Sequence, residues 1–161
     1  MAELLEQQFL ALSLQGEKYA IPVGRVLEVL EYAKITRLPC MTAYLKGLIN
    51  LRGKGVPVLD LALRFGLQET EVTKDTAIVV VEMVGEKGAL VVGLIADSVH
   101  EVVEIDSDLV EDAPKFGAGS AQDFLKGVGR KDDEFILILD IDLLFKADEV
   151  RIPVEAEAIE A

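Results

Sequence analysis

Apolar residues recur along the chain at every second position, in short runs broken by glycine and charged turns. In "QFLALSLQGEKYAIPV" (8–23), Leu10, Leu12 and Leu14 alternate with their neighbours, a turn falls at 15–18, and Tyr19 begins the return. This pattern predicts a β-hairpin. "TAIVVVEMVGEKGALVVGLIAD" (76–97) predicts a second, with its turn near 85–88, and both turns contain Gly-Glu-Lys. "RVLEVLE" (25–31) follows the first hairpin and "SVHEVVE" (98–104) the second. "YLKGLINLRGKGVPVLDLALRF" (44–65) then aligns without a gap on "FLKGVGRKDDEFILILDIDLLF" (124–145), 80 positions later. The chain is an internal duplication.

A copy of about 80 residues makes a marginal core alone, so the duplication predicts two small barrels packed on each other. Closure would remove the exposed edges of so many apolar strands, and Pro57 suits a barrel better than an open central strand. Asp60 and Asp140 end strands and precede "LALRF" and "IDLLF", where each reads as the N-cap of a short helical turn. Gly66 reads as a C-terminal stop. The pair Asp140 and Asp142 is therefore expected to be a cap plus an exposed acid rather than a metal site. The expected class is all-β with short helices, one domain over 8–146, with an exposed loop at 108–123 and an acidic, flexible tail at 147–161.

Charge narrows the partners. The formal net charge is −13, which disfavours nucleic acid and anionic membrane surfaces, both of which draw affinity from clustered Lys and Arg. With 51% hydrophobic residues the chain can nevertheless bury a substantial interior. No apolar run approaches the roughly 20 residues of a spanning helix, and the N-terminus lacks the order of a signal peptide, so a cytoplasmic location is expected.

Chemistry is sparse. Cys40 is the only cysteine and reads as a packed thiol, which rules out an internal disulfide. His100, the only histidine, lies in an alternating run and is expected to face outward. No phosphate-binding, nucleophile-elbow, zinc or calcium motif is present, and no cofactor is expected. Glu28 and Glu101 hold equivalent places in the two copies and would make a hydrolase only by converging in one pocket. In the shared Val-x-Glu-Val pattern, each is expected to project from the strand face opposite the core. "VLEVLEY", "GLINL" and "VVGLIADSVHEVV" are apolar on both strand faces; part of that surface is expected between the barrels and part in a groove suited to a partner helix.

Three stretches, "GLINLRGKGVPVLDL" (47–61), "VVGLIADSVHEVVEI" (91–105) and 124–145, resemble in order and spacing the signature blocks of the CheW family of bacterial chemotaxis coupling proteins. The resemblance runs from about Gln8 to Phe145. It implies two five-stranded SH3-like barrels around a shared hydrophobic core, and a scaffold rather than an enzyme. Its partners would be the helical cytoplasmic tip of transmembrane chemoreceptors, the regulatory domain of a chemotaxis histidine kinase, and other copies of the adaptor in arrays. Carried over by position, the receptor-facing groove includes Val26, Gly47, Asn50 and Arg52, with Gly93, Val99 and Val102 from the second copy. Glu28 and Phe116 fall at kinase-side positions. Two departures stand out: Lys54-Gly55 before Val-Pro-Val, and the acidic Glu111-Asp112 before Phe116. A CheW-like module of a kinase or fused protein is the alternative within the family; 161 residues leave no room for a receiver or catalytic domain.

Arg52 carries the sharpest question. A turn arginine beside apolar strands, in so acidic a chain, either contacts a partner or braces the barrel by pairing with an internal acid. Gly47 and Gly93 likewise read either as contacts or as backbone-packing glycines, and Val99 and Val102 as contacts or core.

Overall fold

The computed structural model describes residues 8–39, 43–85, 88–106, 110–112 and 124–144. Within them the periodic runs become two sets of strands in the same order. The first copy forms β1 (Gln8–Leu14), β2 (Glu17–Pro22), β3 (Val26–Glu31), β4 (Leu45–Leu51) and β5 (Lys54–Asp60). The second forms β6 (Ala77–Gly85), β7 (Gly88–Ala96), β8 (Ser98–Glu104), β9 (Leu125–Lys131) and β10 (Glu134–Leu139). Three hairpins, β1–β2, β4–β5 and β9–β10, turn on two residues that both have positive φ: Gln15-Gly16, Arg52-Gly53 and Asp132-Asp133. This is the turn whose twist matches that of the flanking strands.

The strands make two five-stranded sheets, ordered β8-β1-β2-β10-β9 and β3-β6-β7-β5-β4. Replacing each strand by its counterpart in the other copy converts one order into the other, so the duplication is a symmetry of the fold. Neither sheet belongs to one copy, contrary to the expectation of one barrel per repeat. Each takes a hairpin from one half and completes it with strands from the other, through β1–β8, β3–β6 and the parallel pairs β2–β10 and β5–β7.

Closure into barrels is also not what the ladders show: β3 and β4 remain the edges of one sheet, β8 and β9 of the other. Among the described residues the chain leaving β3 joins β4 through the bridge Thr36 to Leu48, with both N–H···O distances 2.8 Å. Its counterpart joins Glu111 to Val128. The bridge explains Gly47. A Cβ there would lie 2.0 Å from the Thr36 carbonyl oxygen, and its φ of +141° is one that side chains rarely adopt.

Strands apolar on both faces are explained by three cores. Leu10, Leu12, Leu14, Val79, Val81, Leu94 and Leu139 join a central cluster fed by both sheets. The alternate residues Ile78 and Val80 turn the other way, with Ile49, Val56, Val58 and Ile95, into a cluster inside the second sheet. Phe9, Ala20, Ile105, Ile136 and Ile138 do the same inside the first. Every second residue thus leaves water on one face and its neighbours on the other, at about 25 cal/mol per Å² of apolar area buried.

The caps form as expected. Asp60 is buried, and its Oδ1 accepts from Ala62 N at 3.0 Å at the start of α1 (Leu61–Arg64), while Thr70 donates to both of its oxygens. Gly66, at φ +81°, ends α1: its N–H and that of Leu67 donate to the Leu63 and Ala62 carbonyls. Asp140 accepts from Asp142 N at 3.1 Å above the 3-10 turn Ile141–Leu143. Asp142 is not the free exposed acid expected of it. Its carboxylate takes both terminal nitrogens of Arg25, at 3.0 and 2.7 Å, and the Val84 N–H at 2.8 Å. Across the two copies, Phe65 stacks between Tyr19 and Phe124, with Arg64 over the Phe124 ring. Cys40, Phe116, Phe145, most of the loop at 108–123 and the tail at 147–161 lie outside the described residues.

Candidate functional site

Three of the sequence-selected residues meet at one corner of the second sheet, where β3 faces the β4–β5 turn. Arg52 occupies the first turn position with φ +52°, a conformation that costs a non-glycine residue roughly 1 kcal/mol and that Asn or Asp adopts more readily. The turn is held by Asn50, whose Oδ1 accepts from Gly53 N at 2.8 Å. The Arg52 side chain is 76% exposed and donates through Nη2 to Glu28 Oε2 at 2.8 Å, with the Glu28 side chain 24% exposed. A pair this open to water contributes at most about 1 kcal/mol. Asn50 therefore fixes the turn, the turn aims Arg52, and Glu28 orients a guanidinium that keeps most of its surface free.

Glu28 does not project away from all core, as the alternation had implied. It pairs with Val80, so it shares the face that builds the cluster inside the second sheet, at the rim of that cluster. β3 is an edge strand with no fully buried residue, so the Glu28 carboxylate reaches water at the rim of the cluster. Glu101, its counterpart, sits on β8 in the other sheet and lines a shallow pocket with Lys18, His100 and Glu134, not with Glu28. The two carboxylates do not converge. Among the described residues no group of His, Cys, Asp and Glu side chains is arranged to hold a metal ion. His100 is exposed, as expected, with Nε2 2.6 Å from Ser13 Oγ.

The remaining selected residues divide by depth. Gly47 and Gly93 are buried; a Cβ on Gly93 would lie 2.8 Å from Ile78 Cγ2, so both have packing reasons to be glycine. Val26 on β3 and Val99 on β8 hold equivalent places and are half-buried against the central core. Val102 is 49% exposed and its counterpart Val29, which the sequence reading passed over, 44%. Both lie on the face of their edge strands that looks toward the central core, opposite Leu10 and Val79, but beyond where the core covers it. The two edge strands thus each offer a strip of valine at the margin between the sheets. Phe135 was missed as well. At 63% it is the most exposed large apolar side chain among the described residues, and the Arg130 guanidinium lies 5.2 Å from its ring centroid. The signal was available: the repeat sets Phe135 against Gly55, a bulky side chain where the other copy has none.

Two further ion pairs lie elsewhere, the first of which joins the copies. Lys18 on β2 pairs with Glu134 at 2.8 Å, and that hydrogen bond raises the Lys18 pKa. Lys46 on β4 pairs with Glu69 in the connection between copies, and its hydrogen bond holds the Glu69 carboxyl below its ordinary range.

The model of the CheW-like domain matches residues 8–149, nearly the whole of this fold. The chain belongs to the CheW family. A chemotaxis protein CheW from Klebsiella aerogenes is 30% identical over 92% of this chain and 87% of its own length. One from Thermotoga maritima is 30% identical over 92% of this chain and 93% of its own. The crystal structure of the scaffolding protein TtCheW from Thermoanaerobacter tengcongensis superposes with a TM-score of 0.80 at 34% identity, covering 91% of this chain and 97% of that one. The resemblance carried by the three signature stretches is thereby established at the level of family and fold. No helix among the described residues is long and apolar enough to cross a membrane.

Proposed function

We propose that this CheW-family chain is a chemotaxis adaptor, a scaffold without catalytic activity that couples transmembrane chemoreceptors to a histidine kinase. The observation that carries the reading is Arg52. A residue type that does not favour the left-handed conformation is held in it, in a turn braced by Asn50, with most of its guanidinium exposed beside apolar edge strands. An arginine so placed can hydrogen-bond and stack on a helix laid against the margin between the sheets.

The receptor's helical tip lies along that margin, touching Val26, Asn50 and Arg52 from one copy and Val99 and Val102 from the other, with Gly47 and Gly93 supporting the surface from below. The kinase's regulatory domain docks at the exposed rim of β3 around Glu28, and on Phe116. The adaptor works in the cytoplasm at receptor arrays, beside other copies of itself, and uses no cofactor. Titration of the labelled chain with a receptor-tip helical hairpin, and separately with the kinase regulatory domain, tests this. Saturable binding of both is expected, and binding of neither would end the reading.

A further inference from the structure

β3 is the strand on which the proposed function places both partners, and little in its own copy fixes where it begins. The 3-10 turn Val23–Arg25 that leads into it has no side-chain cap and no buried residue. Its ladder with β6 is interrupted by a register shift between Val26 and Glu28, and β3 has no strand on its other side. One residue compensates. Arg25, immediately before Val26, donates both terminal nitrogens to Asp142 of the second copy, and Nη1 also donates to the Glu82 carbonyl at 3.1 Å. Asp142 is itself fixed by the Val84 N–H on β6 and by its own N–H to Asp140. A two-pronged arginine–carboxylate pair on a carboxylate already held by the backbone is a rigid anchor.

The duplication supplies the control. The places equivalent to Arg25 and Asp142 in the opposite copies are Ser98 and Ala62, which can form no ion pair. β8 nevertheless runs for seven residues along β1. The start of β8 is held by neutral backbone partners instead, the Asp97 carboxylate accepting from Gln15 N at 2.8 Å and the Asp97 N–H donating to the Ser13 carbonyl at 3.0 Å, so the arginine–carboxylate clamp appears only on the copy that bears Glu28 and the Arg52 corner. Resting on the adaptor function for what β3 contacts, we infer that Arg25 and Asp142 are positioning residues: they lock the start of β3 so that Val26 and Glu28 are presented in register to the partners.

Amide hydrogen exchange and affinity, measured on the full chain and on Arg25→Ala, Asp142→Asn and Arg25→Lys, test this. In Arg25→Ala the amides of β3 exchange roughly ten- to a hundredfold faster, the scale set by losing a charged hydrogen-bond pair in a locally opening strand, while β9 and β10 keep their protection. Arg25→Lys, which keeps the charge but not the fork, falls between. Affinity for the receptor-tip hairpin and for the kinase domain drops in the order of the β3 exchange rates. Unchanged β3 exchange, acceleration of all strands together, or a loosened β3 with undiminished affinity would each overturn the role. If the unaltered chain binds neither partner, the adaptor reading fails, and the exchange rates still decide whether the clamp fixes β3.

Discussion

At Arg52 the local backbone and the proposed contact pull in opposite directions. The turn Arg52-Gly53 would be better served by Asn at its first position, since Asn-Gly is a favoured sequence for this turn type. Arg52→Asn is expected to leave the melting temperature unchanged or slightly higher, because the exposed pair with Glu28 is worth no more than about 1 kcal/mol, and to abolish receptor binding. A substantial drop in melting temperature would instead make Arg52 a brace. Gly47 behaves in the opposite way. Gly47→Ala sets a Cβ against the Thr36 carbonyl and strains the backbone, so thermal unfolding should show a loss of roughly 3 kcal/mol or more. Binding lost in that variant would follow from the fold; a variant that melts normally yet fails to bind would mark Gly47 as a contact. The sequence made Arg52 conspicuous because positive charge is scarce beside apolar runs. It could not show that the acid it meets is Glu28, or that the carboxylate of Asp142 is occupied by Arg25, because these pairs are joined only when the sheets assemble.

The hairpins are where sequence and structure agree most closely. Alternation located the strands, glycine and charge located the turns, and Asp60, Asp140 and Gly66 marked the ends of the helical turns. The β9–β10 turn nonetheless uses two aspartates in left-handed conformations, where its counterpart has glycine at the second position. Asp133→Gly should therefore stabilise the protein by about 0.5–1 kcal/mol in denaturant unfolding, by removing the left-handed penalty. A loss of stability would show that the Asp133 side chain contributes something at the tip that its geometry does not reveal. Alternation also misled at this level, because it identifies two strand faces without saying that both are buried. Glu28 and Phe135 were misread or missed for that reason: each lies on a core-building face at a point where the core has run out.

In the whole molecule, the duplication was legible but its consequence was not. A repeat reveals that two halves share a pattern, whereas strand partnership depends on backbone pairing that no side-chain period encodes. Each half supplies hairpins that the other completes, so neither half has a sheet of its own. Residues 1–72 and 73–161, divided in the exposed connection between the copies, should each lack dispersed amide resonances alone and fold into a 1:1 complex when mixed. A folded spectrum from either fragment alone would contradict the exchanged topology. The same interleaving leaves β3 of the first copy and β8 of the second as edge strands of the two sheets, and the receptor is proposed to lie along them.

The most direct measurement is a map of amide shifts in the labelled full chain as the receptor-tip helical hairpin is added. The largest changes are expected at Val26, Asn50, Arg52, Val99 and Val102, and are lost in Arg52→Asn. Saturable binding that perturbs only other surfaces, such as the Phe135 hairpin tip, and persists in Arg52→Asn would rule out this placement of the receptor.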